Sequence, residues 1–157
     1  MRRSTDNQKT AREGRSAVAA EMICRGIARL EVLTANNTKI VRVTDSTGRS
    51  VDLHVKSRKS GTWQGSITAG SAQPPRAAPP RFWIFVDLGS DPVGFFIVPD
   101  RWMRRNIHQV HQTYLKRHGG RRLLNPKSRH HAIEPHRIER WRSKWELLGL
   151  GIVRQRA

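Results

Sequence analysis

The sequence predicts an α/β (α+β) domain, with a mixed central sheet of about four to five strands flanked by helices. Three observations carry that prediction. A helical pattern near the N-terminus gives way to β-branched and aromatic runs, and helical patterning resumes after Pro99. Val51-Asp52-Leu53-His54-Val55-Lys56-Ser57 alternates apolar and polar residues, as a half-buried strand does. Phe82-Trp83-Ile84-Phe85-Val86-Asp87-Leu88 is almost wholly apolar, as in a central strand covered on both faces. A length of 157 residues fits one domain.

The elements follow in order. Residues 1–9 are polar and charged and read as a basic flexible arm. From Thr10 to Arg25 the pattern is helical, with Ala11, Val18, Met22 and Ile23 on one stripe, Ala19 beside it and Gly26 as the stop. Ile27 to Leu33 reads as a short strand, and Asn36-Asn37 as a turn. Lys39 to Thr44 is rich in β-branched residues and pairs with Val51–Ser57 across Asp45–Ser50. A turn centred on Thr47-Gly48 sets Lys56 opposite Lys39, His54 opposite Val41 and Asp52 opposite Val43. Gly61 to Ile67 reads as another strand. Residues 69–80 form a Pro/Ala-rich loop, extended and exposed. Gly94 to Val98 follows the central strand across a Gly89–Pro92 turn. Pro99-Asp100 opens a helix over residues 101–116, which Gly119-Gly120 ends. A last helix is expected over 135–148, and a tail over 151–157, so the domain spans residues 10–150. There is no internal repeat.

Charge is the strongest functional signal. Thirty Lys+Arg against 12 Asp+Glu give a formal net charge of +18. Such an excess favours phosphate backbones through counterion release. An anionic membrane surface or an acidic protein partner is the rival reading. The single cysteine, Cys24, excludes an internal disulfide and a Cys-rich zinc site, and its helical setting predicts a packing role. No run has the length of a membrane span, and no apolar segment of a signal peptide is present, which predicts a cytoplasmic protein.

Arg104 and Arg105 crowd the helix that holds His108 and His111, with His118 following. Positive charge there opposes metal and favours phosphate, as it does around His130, His131 and His136. Neither a P-loop nor a nucleophile-elbow signature occurs. Arg121, Arg122, Arg137, Arg140 and Lys144 make the C-terminal segment basic. Trp141 and Trp145 are spaced to share one helix face, which docks the helix or stacks on bases. Arg137, Arg140 and Lys144 are spaced to form a phosphate-facing ridge on that helix. The N-terminal Arg2, Arg3, Lys9, Arg12 and Arg15 offer a second, flexible contact. No feature reads as base-specific.

A helix with small residues and a closing glycine, the hairpin ending in His54-Val55-Lys56-Ser57, then FWIFVDLG and GFFIVP, resembles the PD-(D/E)XK nuclease-like superfamily. The similarity is nearest to small bacterial members whose third strand ends in a Gln-Val-Lys-Ser/Thr motif. The ending HHAIEPHRIERWRSKWELLGL resembles their C-terminus, so the likeness covers residues 10–150. It implies a restriction-endonuclease-like core in which acids hold Mg²⁺ or Mn²⁺ and a Lys activates water for phosphodiester cleavage. Lys56 falls on the family Lys. His54 falls where the family has Glu, Asp or Gln. The family Asp falls near Thr38-Lys39, where no acid stands, and the Glu that some members carry on the first helix falls near Ser16 or Ala17, with Glu21 a turn later.

Asp52, His54 and Lys56 are therefore the candidate catalytic row, in degenerate form. The expected function is nucleic-acid binding, DNA before RNA, without a metal or other cofactor. Lys56, Arg58 and Lys59 would meet phosphate from the hairpin. The alternatives are a metal-dependent endonuclease with a non-standard site, and a basic module that docks an acidic protein partner or forms a homodimer.

Overall fold

The computed structural model describes residues 2–121 and 127–151. In chain order these form α1 (Arg2–Cys24), β1 (Arg29–Ala35), β2 (Thr38–Thr44), β3 (Ser50–Arg58), β4 (Trp63–Ser66), β5 (Arg81–Asp87), β6 (Gly94–Pro99), α2 (Asp100–Arg117) and β7 (His130–Ile133). Short 3-10 turns lie at Ile67–Ala69 and, three times, between Pro135 and Leu148. Five strands make one mixed sheet in the order β1-β2-β3-β5-β6. Within it β3 and β5 run parallel and the other neighbours antiparallel. β4 and β7 form a separate antiparallel pair. The fold is α+β. Among the described residues no helix is long and apolar enough to cross a membrane.

Each sheet face has its own core. Val51 and Leu53 turn towards α1 and pack with Val18, Met22, Ile84 and Val86. The other face carries Trp83 and Phe85, which pack with Met103 and Ile107 of α2 and with Trp63 and Ile133 of the small sheet. β5 lies between β3 and β6, so Trp83 to Val86 are all buried, and the strand has no solvent face to make polar. Close approach of α1 to β3 depends on Gly14. A Cβ there would stand 1.6 Å from Ser57 Oγ and 2.7 Å from Ser57 Cβ.

Four expectations are corrected. First, residues 2–9 are not an arm: they are the opening turns of α1, which continues unbroken to Cys24. Second, the β2–β3 turn is wider than a Thr47-Gly48 centre implies. The Asp45 N–H donates to the Arg49 carbonyl at 2.9 Å and Gly48 takes a φ of 88°. The Asp45 carboxylate accepts from the Gly151, Thr47 and Arg49 amides and the Thr47 hydroxyl, and those bonds, Gly151 foremost, hold its pKa down at about 2. The register shifts by one residue, so Asp52 faces Arg42 and Lys39 pairs with Thr34 instead of Lys56.

Third, Cys24 is exposed, because only Val18 and Met22 of the expected stripe reach the core and Ile23 points outward. The Pro-rich loop is irregular and largely exposed, as expected, and it is held by three bonds: Ser71 N–H donates to the Arg104 carbonyl, Arg101 Nε to the Pro74 carbonyl and Asp52 N–H to the Pro80 carbonyl. Fourth, residues 135–148 are 3-10 turns around the β6 edge, not one helix. Ser143 breaks the run with a φ of 54°, and its N–H donates to the Phe95 carbonyl at 2.8 Å. Trp141 thereby joins the α2-side core and Trp145 the α1-side core, so the two indoles lie on opposite sheet faces. That wrapping also covers the hydrogen-bonding groups of an edge strand.

Candidate nucleic-acid interface

The β2–β3 ladder ends at the Val41–Leu53 pair. Beyond it β2 stays with β1 down to Thr38, while β3 stays with β5 up to Arg58. The two strands therefore part, and a cavity of about 720 Å³ opens between them. Its walls include Arg12 and Arg15 of α1, Lys39 of β2, and His54 and Lys56 of β3. An adjoining cavity of about 420 Å³ shares Thr38, His54, Thr68, Ala69 and Trp83 with it and adds Arg81, Asp100 and Arg104. Together they form one basin under the strand opening.

The charge balance of the basin is lopsided. Arg12, Arg15, Lys39, Lys56, Arg81 and Arg104 face it, against one acid, Asp100. Asp100 is buried and accepts a 2.8 Å hydrogen bond from the Trp83 indole. Among the described residues Lys56 has no ion-pair partner, and burial pushes its pKa below the ordinary lysine value. His54 packs its ring 4.6 Å from that of Trp83. Burial, then Lys56 and Arg81, drive its pKa down to about 3, so it is neutral at pH 7. The cations of the basin are thus unusually short of counter-charge, which is the electrostatic condition for taking up an anion.

The candidate row divides. His54 and Lys56 line the basin. Asp52 does not: it is buried and bound by the Arg42 guanidinium through two bonds of 2.8 and 3.1 Å. A carboxylate committed in this way is not a free metal ligand. Thr38 and Lys39, where the resemblance would put the family Asp, line the basin together with His54. The residues there are a hydroxyl, an ammonium and an imidazole. This donor set does not fit Mg²⁺, which takes hard oxygen ligands and is repelled by Lys39 and Lys56. Among the described residues no group of three or more His, Cys, Asp or Glu could hold a metal ion. Glu21 pairs with Arg25 at 3.0 Å and is not directed to the basin.

The other predicted phosphate contacts scatter. Arg58 is held inside by Asp87 at 2.9 Å and lies over the Trp63 ring at 4.1 Å. Arg137 is 7% exposed and binds Asn106, Glu134 and the Ala132 carbonyl, so it is a fold residue and not part of a ridge. Lys59 is half exposed and 3.4 Å from Glu13. Arg140 stacks over Trp141 and Trp102, and Lys144 is exposed. Arg105 and Arg121 are exposed, away from the basin lining, while Arg104 lines it and donates to the Ala69 carbonyl. Arg122 lies outside the described residues. Sequence reasoning missed Arg81, whose place beside Asp52 arises from a parallel pairing across the Pro-rich loop. No local signal announces such a pairing.

Two imidazoles, the half-buried His54 and the buried His131, set an acid dependence. His54 has a folded pKa near 3, and His131, buried close to Arg137, one near 4. Above the unfolded value of about 6.5 both states are neutral and nothing changes. As pH falls below it, the unfolded chain takes up protons that the folded chain refuses, so stability is lost until the folded pKa is reached. Chemical denaturation between pH 6 and pH 4 is expected to show a slope for His54→Gln that is shallower than wild type by about 1.4 kcal/mol per pH unit. Equal slopes would contradict the neutral state of His54. Compared with known proteins, the chain matches no family model, no curated protein and no solved structure.

Proposed function

We propose that this protein binds nucleic acid, duplex DNA before RNA, by admitting phosphate to the basin between β2 and β3, and that it does not cut what it binds. The observation that carries this reading is the lining: six Lys and Arg side chains against one acid that is already hydrogen-bonded. The overall charge of +18 supports it at long range by raising the local concentration of a polyanion. The PD-(D/E)XK resemblance supplies the duplex preference and a degenerate site, with Lys56 as the retained residue. Cytoplasmic location belongs to the same reading.

Binding without cutting follows from the ligand set. Cleavage of a phosphodiester by this type of site needs oxygen ligands to hold the ion that offsets charge on the phosphate. Here the matching positions are Lys39 and His54, Asp52 is taken by Arg42, and Asp100, the one acid of the lining, accepts from the Trp83 indole. Lys56 is left to donate a hydrogen bond to phosphate rather than to serve metal-bound water. Supercoiled plasmid incubated with the protein and Mg²⁺ or Mn²⁺ is expected to stay supercoiled, while a gel shift reports binding. Nicking by wild type that disappears in Lys56→Ala would replace this reading with the endonuclease one.

A further inference from the structure

The overhang of α1 lies beside the basin. Gly14 packs on Ser57, next to the last residue of β3, so the turns before it run past the end of that strand. Residues 3–9 are all exposed, yet they are helical. At about 1.5 Å per residue they project roughly 10 Å. This helix end is continuous with the basin, because Gln8, Ala11, Arg12 and Arg15 line one of its walls.

The faces of the overhang differ in chemistry. At 100° per residue, Arg3, Ser4, Asn7 and Gln8 fall on the side that continues Gly14, Val18 and Met22, the side of the sheet, and Gln8 borders the basin wall made by Ala11, Arg12 and Arg15. Asp6 and Lys9 fall on the far side from the sheet. The sheet-side face therefore carries no acid. Its Arg, Asn and Gln are the side chains that make paired hydrogen bonds to guanine or adenine in the major groove, and Ser can bond either base. No apolar group on residues 3–9 gives this face a reason to dock on protein. A B-DNA major groove about 12 Å wide admits a helix of this size.

Resting on the reading of the basin as a phosphate site, we propose that the overhanging turns of α1 enter the major groove of duplex DNA and read base edges through Arg3, Asn7 and Gln8. The basin cations would hold the adjacent backbone and set the register, a division of labour in which phosphate contacts position and base contacts specify. The partner is a duplex with a short preferred sequence of one to a few base pairs, and not any polyanion of equal charge.

The experiment is selection of bound duplexes from a random pool by the full chain, followed by affinity measurements on the enriched site. Wild type is expected to enrich a short motif. Asn7→Ala is expected to lose roughly tenfold to a hundredfold in preference for that motif over random duplex. Its affinity for random duplex should stay within about twofold, since Asn7 is neither a cation nor part of the basin lining. The side chain is exposed, so folding is checked by an unchanged melting temperature. Duplex binding with no enriched motif, or a motif that the variant reads as well as wild type, overturns this proposal and leaves the basin reading intact. No duplex binding at all overturns both.

Discussion

Replacing Lys56 by methionine is expected to make the protein more stable and a poorer binder of DNA. The ammonium is buried far enough to lower its pKa, and among the described residues it has no ion-pair partner. Its charged form is therefore held less well in the folded chain than in the unfolded one. Methionine has a similar length and no charge to desolvate, so the unfolding free energy should rise by about 1 kcal/mol. A lost charge-assisted bond to phosphate should weaken duplex binding about tenfold to a hundredfold. Thermal unfolding and fluorescence anisotropy on the same preparations read the two effects. A lysine kept for structure would give the opposite pair: lower stability and unchanged binding.

Gly14→Ala should be among the most destabilising single changes in the molecule. The new methyl would meet Ser57 Oγ at 1.6 Å and Ser57 Cβ at 2.7 Å. Rotating the hydroxyl relieves the first contact, but the Cβ is fixed to the strand, so α1 or β3 must move. Overpacking of this kind costs about 3 kcal/mol, a large part of the 5–15 kcal/mol by which domains are stable. Urea denaturation is expected to show that loss, and Ser57→Gly in the same chain is expected to recover most of it. A Gly14→Ala midpoint equal to wild type would mean that α1 does not pack against β3 as described. Because α1 also carries Arg12 and Arg15 to the basin, DNA affinity should fall along with stability.

The sheet was legible where the pattern was physical and local. Alternation at Val51, Leu53 and Val55 marked a half-buried strand, whose apolar side faces α1, and the unbroken run from Phe82 marked the central strand. The register was legible only to within one residue. It depends on whether the turn closes at Asp45, and that closure comes from hydrogen bonds to Thr47, Arg49 and the distant Gly151. The C-terminal segment misled for another reason. Trp141 and Trp145 have helical spacing, but the two cores on opposite sides of β6 each take one indole, and tertiary burial overrides propensity.

The candidate site was half legible. His54 and Lys56 stood out on one strand, and the resemblance pointed to Thr38-Lys39 across from them. Arg81, and the commitment of Asp52 to Arg42 and of Arg58 to Asp87, depend on pairings between strands that no single segment encodes. The expected basic ridge failed at Arg137 because a guanidinium serves equally well as an internal tie.

The most direct test of the central claim is the salt dependence of duplex binding. Affinity for a short duplex would be measured across a series of NaCl concentrations, for wild type and for Lys39→Gln/Lys56→Gln/Arg81→Gln. Each phosphate contact contributes about 0.9 to the slope of log affinity against log salt. If the basin takes phosphate, wild type has a steep negative slope and the triple variant is shallower by about 2 to 3. Equal slopes for the two proteins, or no duplex binding by wild type at low salt, would contradict the account.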